Sequence, residues 1–451
     1  MNIIIVGCGK VGATLAAELN EEGNDITVVD MQADIVADVA AKCDVMGVVG
    51  NGATHSVQME AGVNEADLLI AVTGSDELNL LCCMVAKMNG HCQTIARVRS
   101  PEYSAEASYL KDVLGLAMVI NPEQATAAEI ARVLRFPSAI KIETFAKNRV
   151  ELLKFRLPEN SSLVGMAVKD VVAKLKCDIL FCTVEREDEA LIVNGDLVFA
   201  GRDVISLIAS PKHANEFFAK INYKTQSVKD AMLLGGGAVS SYLCAALQKT
   251  GISVKIIESC EETCSRLSDA FPHACVIKSD VFDREMLLEE GLATAGAFVA
   301  LTKKDEENIL LSLYAKEITG GKVVTEIGRT DYDDVIRHLD LDTVVYPEII
   351  TADIILRHVR AMKNTIGSNM ETLYSIIKDK VEATEFIVKE NASLIGKPLS
   401  TLTFKKNILI AAVLRDGKVI IPRGHDAIEA GDSVVVVSEA AAVHDISDIL
   451  V

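Results

Sequence analysis

The sequence predicts an α/β fold with two Rossmann-like, doubly wound parallel-sheet domains, each followed by a small α+β domain. The first thirty residues have the pattern of strand, glycine-rich turn, helix and second strand. The same pattern recurs later in the chain, and each copy precedes a segment of short alternating strands. A length of 451 residues is too great for one hydrophobic core. We therefore predict four domains, which span residues 1–136, 139–222, 228–362 and 371–451.

Composition limits the classes of partner and the compartment. A net charge of −19 and a pI near 4.9 disfavour nucleic acid and unaided adsorption to an anionic membrane. No apolar run approaches the ~20 residues of a spanning helix, so we expect no membrane insertion. The amino terminus lacks the basic leader of a signal peptide, and we expect a cytoplasmic protein. The 11 cysteines include no C-x-x-C pair, which favours reduced, mostly buried thiols and predicts no metal site.

The first strand–turn–helix unit predicts a dinucleotide site. An apolar, β-branched run over residues 2–6 precedes a G-x-G-x-x-G motif. In this motif Gly7 permits the tight turn, Gly9 lets the main chain approach a pyrophosphate, and Gly12 lets the helix pack closely on the strand. The helix amino terminus then presents free N–H groups and a partial positive charge to the phosphates.

An acidic residue ends the second predicted strand. Asp30 lies eighteen residues after Gly12, where a carboxylate accepts hydrogen bonds from a ribose. Its charge repels a 2′-phosphate, and neither Met31 nor Gln32 supplies an arginine to bind one. The sequence therefore favours NAD(H) over NADP(H).

Further strands are predicted at residues 45–49, 68–72 and 94–98, and ligands bind beyond the carboxyl ends of such strands. The candidate contacts at those ends are Asn51, Gly52, Thr73, Gly74 and Arg97. We expect Thr73 and Gly74 to contact the adenosine and Arg97 to pair with the pyrophosphate. Two alternatives stay open: Asn51-Gly52 is also typical of an ordinary turn, and Arg97 is also consistent with a surface ion pair.

The chain is an internal duplication. Gly235 follows Gly7 by 228 residues, and Glu258 follows Asp30 by the same interval. The second copy therefore offers its own candidate binding residues, Gly235, Gly237 and Glu258.

Four departures of the second copy from the first bear most on phosphate binding. Gly12, Gly52, Gly74 and Arg97 are replaced by Ser240, Asp280, Lys303 and Glu326. A carboxylate at the proposed pyrophosphate position repels phosphate, although Lys303 restores a positive charge nearby. We expect tighter binding of NAD(H) in the first copy, whereas the second binds weakly, binds a different nucleotide or is purely structural.

An amphipathic helix is predicted after Pro122 and again after Pro347, and each apolar stripe must be buried. Pairing with another copy would bury it, but the sequence does not say with which copy.

Five sequence blocks resemble the TrkA family of regulatory subunits of bacterial and archaeal Trk potassium uptake systems. These blocks are residues 7–30, AVTGSDELN at 71–79, IARVRSPEY at 95–103, and the SLVG and AGRDVI segments of the small domain. The domains of that family are called RCK or KTN domains, and the longer members carry them in tandem. The resemblance covers essentially the whole chain.

The resemblance implies a cytoplasmic subunit, peripheral to the membrane, that assembles into a ring, expected to be a homotetramer, beneath a TrkH-type membrane subunit. Nucleotide binding in the Rossmann cleft would then gate potassium flow. The family's NAD contacts fall here on Gly7, Cys8, Gly9, Lys10, Val11, Asp30, Thr73, Gly74 and Arg97. Because the family also responds to adenine nucleotides, ATP and ADP stand beside NAD(H) as expected ligands.

Two other functions compete with this one. An NAD-dependent oxidoreductase would need an acid or base beside the nicotinamide, and His55 is the best candidate base. The small domains show no catalytic cluster, so we expect no enzyme and predict no catalytic residue. A stand-alone nucleotide sensor without a channel partner is the third possibility.

Overall fold

The structure is a computed structural model that describes residues 1–135, 139–145, 149–186, 189–221, 228–329, 333–336, 338–365, 370–377, 380–389, 394–439, 443 and 445–450. The predicted domain ends at 136, 222 and 451 lie outside these residues. The chain forms two compact units, each built from two separate segments. One unit contains Met1–Leu134 and Val228–Leu356, and the other contains Arg135–Ser227 and Arg357–Val451.

The first copy is a parallel sheet flanked by helices. Its strands are β1 (Asn2–Val6), β2 (Asp25–Asp30), β3 (Met46–Val49), β4 (Leu68–Ala71), β5 (Gln93–Arg97) and β6 (Met118–Ile120). Its helices are α1 (Lys10–Glu21), α2 (Ala33–Cys43), α3 (His55–Glu60), α4 (Asp76–Asn89), α5 (Pro101–Ala105), α6 (Ala107–Leu114) and α7 (Pro122–Arg135). The strand order is β3-β2-β1-β4-β5-β6, so the order reverses between β1 and β4. A crevice at the carboxyl ends of these two strands is where such sheets bind ligands.

The second copy repeats this architecture. Its strands are β12 (Asp230–Leu234), β13 (Ser253–Glu258), β14 (Cys275–Lys278), β15 (Ala297–Ala300), β16 (Lys322–Glu326) and β17 (Thr343–Val345). Their order in the sheet is β14-β13-β12-β15-β16-β17. Its helices are α10 (Ala238–Lys249), α11 (Glu261–Ala270), α12 (Arg284–Glu289), α13 (Asp305–Ile318), α14 (Asp333–Ile336) and α15 (Pro347–Thr365). The predicted doubly wound fold is thus confirmed in both copies.

Hydrophobic patterning explains the centre of each sheet. The side chains of Ile3 through Val6 on β1 are buried, because a central parallel strand is covered by helices on both faces. Helix α1 buries Val11, Leu15 and Leu19, the stripe that the helical spacing predicts. The sequence pattern did not reveal β6 or β17, since strands of three residues are too short to show a period.

Helix α7 of the first copy packs into the second copy. Its Ile130 and Leu134 are fully buried in a cluster with Leu233 of β12 and Val299 of β15. The apolar stripe after Pro122 is therefore covered by the other copy in the same chain. This contact makes the two parallel sheets one compact unit.

The second unit contains two antiparallel sheets. The first consists of β7 (Ala139–Phe145), β8 (Val150–Arg156), β9 (Ile179–Arg186), β10 (Glu189–Ile192) and β11 (Val204–Ala209). Its strand order is β10-β9-β11-β8-β7, and helices α8 (Val168–Leu175) and α9 (Pro211–Lys220) accompany it. The second has the order β18-β19-β22-β20-β21 and consists of β18 (Met370–Ile377), β19 (Val381–Ile387), β20 (Ile408–Arg415), β21 (Lys418–Ile420) and β22 (Ser433–Glu439). One apolar cluster joins the two sheets, with Phe145 and Cys182 from the first and Ala383 and Val437 from the second.

Within the residues described above, no helix combines the length and the apolarity that crossing a bilayer requires.

Replacement of Ile130 by Ala is expected to destabilise the second copy by about 2–5 kcal/mol, because it leaves a cavity in a core built by both copies. Hydrogen exchange should become faster in β12 and β15, which lie more than ninety residues away in the sequence. Gln124→Ala changes an exposed side chain on the same helix and serves as the control. Faster exchange confined to the first copy would contradict the packing.

Candidate functional site

The glycine turn between β1 and α1 brings main-chain amides to the crevice. Gly7 has φ +106°, and a Cβ there would lie 2.9 Å from the Thr73 nitrogen. Gly9 precedes α1 in an extended conformation, with no heavy atom within 4 Å of the position where a Cβ would stand. The first intrahelical hydrogen bond runs from the Ala13 nitrogen to the Gly9 oxygen, at 2.8 Å. The amides of the preceding helical residues are therefore oriented toward the crevice, where an anion is stabilised.

Gly12 permits the close approach of the helix to the turn. A Cβ at this position would lie 1.9 Å from the Gly7 carbonyl oxygen. In the second copy Ser240 occupies the equivalent place, and its hydroxyl donates to the carbonyl of Gly235. The absence of a side chain at Gly12 thus allows the close approach in the first copy, whereas a hydrogen bond from Ser240 accompanies it in the second.

Asp30 supports the turn from the end of β2. Its Oδ2 accepts from the Cys8 nitrogen at 2.8 Å, and its Oδ1 accepts from the Gln32 nitrogen at 3.0 Å. Each carboxylate oxygen keeps acceptor capacity for a ribose hydroxyl. The Cys8 side chain is only 4% exposed, and burial, assisted by the charge of Asp30, raises the pKa of its thiol to about 12. Cys8 therefore contributes its main chain and not a reactive thiolate.

A cavity of about 420 Å³, here called the first cavity, opens at the carboxyl ends of these strands. The predicted site residues that line it are Gly7, Gly9, Lys10, Val11, Asp30, Gly52, Thr73, Gly74 and Arg97. The lining residues outside the predicted site residues are Val6, Val29, Met31, Gln32, Ile35, Gly50, Val72 and Glu348, of which Gly50 lies in the loop that the sequence places at this edge. Most of the missed residues are apolar neighbours of the motifs, which carry no chemical signal of their own.

Three predicted residues of the first copy do not line the first cavity. Cys8 is buried within the turn, and Gly12 packs against the Gly7 carbonyl. The Asn51 Oδ1 accepts from the Ala53 nitrogen at 3.0 Å, so its side chain forms its own turn. The turn alternative therefore describes the observed role of Asn51, whereas Gly52 does line the cavity.

Thr73 and Arg97 are held together by one hydrogen-bond network. The Thr73 hydroxyl donates to Asn79 Oδ1 at 2.7 Å, and Asn79 Nδ2 donates to the Arg97 carbonyl at 2.9 Å. The Nη2 of Arg97 donates to the Thr73 carbonyl. Burial lowers the pKa of the Arg97 guanidinium, and the nearby charge of Arg99 lowers it further. The Arg97 Nε is buried without an acceptor among the described residues, which suits a group prepared for a bound anion.

The second copy contributes a carboxylate to the first cavity. The Glu348 Oε1, at the start of α15, lies 3.6 Å from the Nζ of Lys10, which also donates to the Gly328 carbonyl. Burial raises the pKa of the Glu348 carboxyl, and Lys10 opposes that rise. The repeated Pro-Glu pair at the helix starts was visible in the sequence, but the sequence does not place Glu348 in the other copy's cleft.

The corresponding cleft of the second copy has the same main-chain geometry. Gly235 has φ +95°, and Gly237 precedes α10 in an extended conformation. The Glu258 Oε2 accepts from the Gly236 nitrogen at 2.6 Å, and its Oε1 accepts from the Cys260 nitrogen at 2.7 Å. The three predicted residues of this copy are thus brought to one turn.

The charge of the second cleft differs. Asn308 Nδ2 donates to the Glu326 carbonyl at 2.9 Å, which reproduces the backbone contact made by Asn79 in the first copy. Burial raises the pKa of the Glu326 carboxyl to about 7, and the charges of Glu123 and Asp305 add to the rise. The Oε2 atoms of Glu326 and Glu123 are buried without a hydrogen-bond donor in the described part of the chain. The second cleft is therefore acidic where the first contains a guanidinium.

The family can be assigned from comparison with known sequences. A family model described as the TrkA-N domain matches residues 3–122 and 231–347, which contain the two parallel sheets. A second, described as the TrkA-C domain, matches residues 152–222 and 383–451. The chain belongs to the TrkA family.

Full-length relatives support this assignment. The Trk system potassium uptake protein TrkA homolog 1 of Methanosarcina mazei is 33% identical over 458 residues, covering 99% of both chains. The TrkA protein of Vibrio alginolyticus is 30% identical, covering 96% of this chain and 95% of its own.

Solved structures show the same fold. The GsuK channel aligns with a TM-score of 0.64 at 15% identity, covering 97% of this TrkA-family chain and 77% of the channel chain. The GsuK channel bound to NAD gives the same values. The predicted combination of Rossmann-like and RCK C-terminal domains is confirmed.

Replacement of Glu326 by Gln is expected to flatten the pH dependence of stability. Since the folded-state pKa is about 7 against an ordinary 4.5, the folded chain binds this proton more tightly than the unfolded chain. The contribution of Glu326 to the free energy of unfolding is fully present below its ordinary pKa. It is lost as the pH rises through the folded-state pKa, and the loss reaches roughly 3 kcal/mol at pH 8.

Thermal unfolding between pH 4.5 and pH 8 measures this effect. The Glu326→Gln variant should lose less stability over that range than the unsubstituted chain. Glu285→Gln removes an exposed carboxylate from the same copy and is the control. Parallel curves for the unsubstituted chain and Glu326→Gln would show that the group ionises normally.

Proposed function

We propose that this chain is a nucleotide-binding regulatory subunit that gates a TrkH-type potassium uptake channel in the membrane. NAD(H) is the proposed ligand of the first cavity, with ATP and ADP as competitors for the same place. The chain would act at the cytoplasmic face, peripheral to the membrane, as a ring expected to be a homotetramer. This function is supported by the full-length relatives, which are named as Trk system potassium uptake proteins.

One observation carries the ligand proposal. The first cavity combines the amides of the glycine turn, the Asp30 carboxylate and the half-buried Arg97 guanidinium in one space. Amides and a guanidinium stabilise a pyrophosphate, and a carboxylate accepts from ribose hydroxyls. The GsuK channel has been solved bound to NAD and bound to ADP, which supports nucleotides as the ligand class.

Regulation requires that the ligand distinguish two conformations of the protein. The first cavity is lined by both copies, because Glu348 belongs to the second and the glycine turn to the first. A phosphate bound at the turn competes with Glu348 and the Gly328 carbonyl for Lys10. Ligand occupancy would therefore alter a contact that joins the copies, and this supports a signalling role.

The oxidoreductase alternative gains no support from His55. Its Nδ1 lies 2.9 Å from the Asn89 Oδ1, and its side chain is not among those that line the first cavity. We therefore propose that the protein uses ligand occupancy as a signal without consuming the ligand.

Arg97→Glu is expected to weaken NADH binding at the first cavity roughly a hundredfold, because it replaces the anion partner with a repelling charge. Calorimetry on the purified chain measures this change. Lys111→Glu, which makes the same charge reversal at an exposed position, should leave the affinity within about twofold. Equal affinities of Arg97→Glu and the unsubstituted chain would refute the assignment of Arg97.

Glu326→Arg tests the difference between the copies. The unsubstituted chain should show one tight NADH site per chain, and this variant should gain affinity at the second because it restores a phosphate partner there. Two equal sites in the unsubstituted chain, with no change on substitution, would contradict the proposal.

The transport role is tested by reconstituting a Trk-system membrane subunit of the source organism in vesicles and following rubidium uptake. Addition of the chain should make uptake respond to NADH, and the Arg97→Glu variant should abolish that response. Turnover of NADH with a small metabolite would instead favour the enzyme.

A further inference from the structure

Two cysteines lie one helical turn apart at the start of α11 in the second copy. All 11 cysteines of the chain are among the described residues, and only Cys260 and Cys275 are exposed. Cys260 immediately precedes α11, and Cys264 ends its first turn with 9% of its surface exposed. The Cys264 nitrogen donates to the Cys260 carbonyl at 3.0 Å, so the two residues share one face of the helix.

Both cysteines contact Glu258, the last residue of β13. The Cys260 nitrogen donates to the Glu258 Oε1 at 2.7 Å, and the Cys264 thiol donates to the Glu258 carbonyl at 3.4 Å. The other carboxylate oxygen of Glu258 accepts from the Gly236 nitrogen in the second glycine turn. A chemical change at the two cysteines therefore reaches the residue that supports this turn.

The two thiols differ in reactivity. The amide and hydroxyl of Thr263 lower the pKa of the exposed Cys260 thiol, although the charge of Glu262 opposes them. Burial raises the pKa of the Cys264 thiol, and the ammonium of Lys278 opposes that rise. Since the thiolate is the nucleophile, an exposed thiol at a helix amino terminus reacts first and its buried neighbour second.

A disulfide between these cysteines requires the helix start to move. Residues one turn apart have Cβ atoms about 5–6 Å apart, whereas a disulfide needs about 3.5–4.5 Å. Cys260 lies outside the regular helix, with φ −82° and ψ 119°, so it can approach Cys264 without unwinding of the later turns. A bond that closes against this resistance is easily reduced, which is typical of transient regulatory disulfides.

We propose that Cys260 and Cys264 form a modification site, at which a hydroperoxide oxidises the pair to a disulfide and thereby loosens the contacts of Glu258. This proposal goes beyond the proposed function and needs no bound nucleotide.

The reaction has two steps. The Cys260 thiolate attacks the peroxide, so that an S–O bond forms and the O–O bond breaks. The departing alkoxide or hydroxide takes a proton from water, and Cys260 becomes a sulfenic acid. The Cys264 sulfur then attacks the Cys260 sulfur, so that the S–S bond forms and the S–O bond breaks. Hydroxide leaves with the Cys264 proton as water, and the peroxide has accepted the two electrons that the thiols lose.

The test treats the reduced full chain with hydrogen peroxide and then alkylates the remaining thiols. Trypsin cleaves after Lys255 and Arg266, so one peptide, residues 256–266, contains both cysteines and no other. Mass spectrometry should show that this peptide has lost two hydrogen atoms and escaped alkylation. Before oxidation, Cys260 should react with iodoacetamide at least about fivefold faster than Cys275, the other exposed cysteine.

Three variants separate the roles of the thiols. In Cys264→Ser the second step is blocked, so Cys260 should persist as a sulfenic acid that dimedone traps. In Cys260→Ser the buried Cys264 should stay reduced. Cys275→Ser removes the other exposed thiol and is the matched control, in which the disulfide should still form. Thermal unfolding of each variant verifies that it is folded.

Hydrogen exchange measures the effect on Glu258. The amides of Gly236 and Cys260 share its carboxylate, so exchange in both segments should become faster after oxidation. Exchange at the first glycine turn, between β1 and α1, should not change. Reduction with dithiothreitol should restore the original rates.

The outcomes are distinguishable. A disulfide within residues 256–266, together with dimedone labelling of Cys260 in Cys264→Ser, supports the proposal. Equal alkylation rates of Cys260 and Cys275, absence of the disulfide, or pairing of Cys260 with another cysteine overturns it. A disulfide that leaves exchange at Gly236 unchanged overturns the effect on Glu258. None of these results bears on nucleotide binding at the first cavity.

Discussion

The close approach of α1 to the turn before it is the constraint on which the first site depends. In the first copy Gly12 leaves room for the Gly7 carbonyl, 1.9 Å from where a Cβ would stand, as the helix starts at Lys10. This approach directs the helix amino terminus at the reversal of strand order between β1 and β4. Asp30 then fixes the turn through the Cys8 amide. Local packing and the Asp30 carboxylate thus shape the turn that forms the candidate anion site.

Duplication allows each half of the chain to complete the other. The apolar stripe of α7 is buried against β12 and β15, so the first copy finishes the core of the second. In return, Glu348 of the second copy lines the cavity of the first copy. Because the two copies share both a core and the lining of the first cavity, occupancy of that cavity would be linked to the packing of both copies. This linkage supports the proposed regulatory role.

The copies differ in charge while keeping their backbone. Asn79 and Asn308 make the same contacts to a threonine and to the carbonyl at the end of the neighbouring strand. The side chain on that last residue is a guanidinium in one copy and a carboxyl with a raised pKa in the other. A change confined to side chains can therefore convert a basic position into an acidic one without disturbing the fold.

The sequence alone determined the fold class, the duplication and most of the chemistry of the first cavity. Strand-length apolar runs, helical spacing and glycines at fixed offsets are local signals, and nine of the predicted residues of that copy line one cavity. Only the tertiary structure decided which copy covers α7 and where Glu348 lies, because helix packing and cross-copy contacts depend on residues far apart in the chain. It also decided that Asn51 forms its own turn and that a buried carboxyl oxygen of Glu326 lies near Glu123. Burial sets the cost of a charge, and burial is a property of the folded chain and not of a residue's neighbours in sequence.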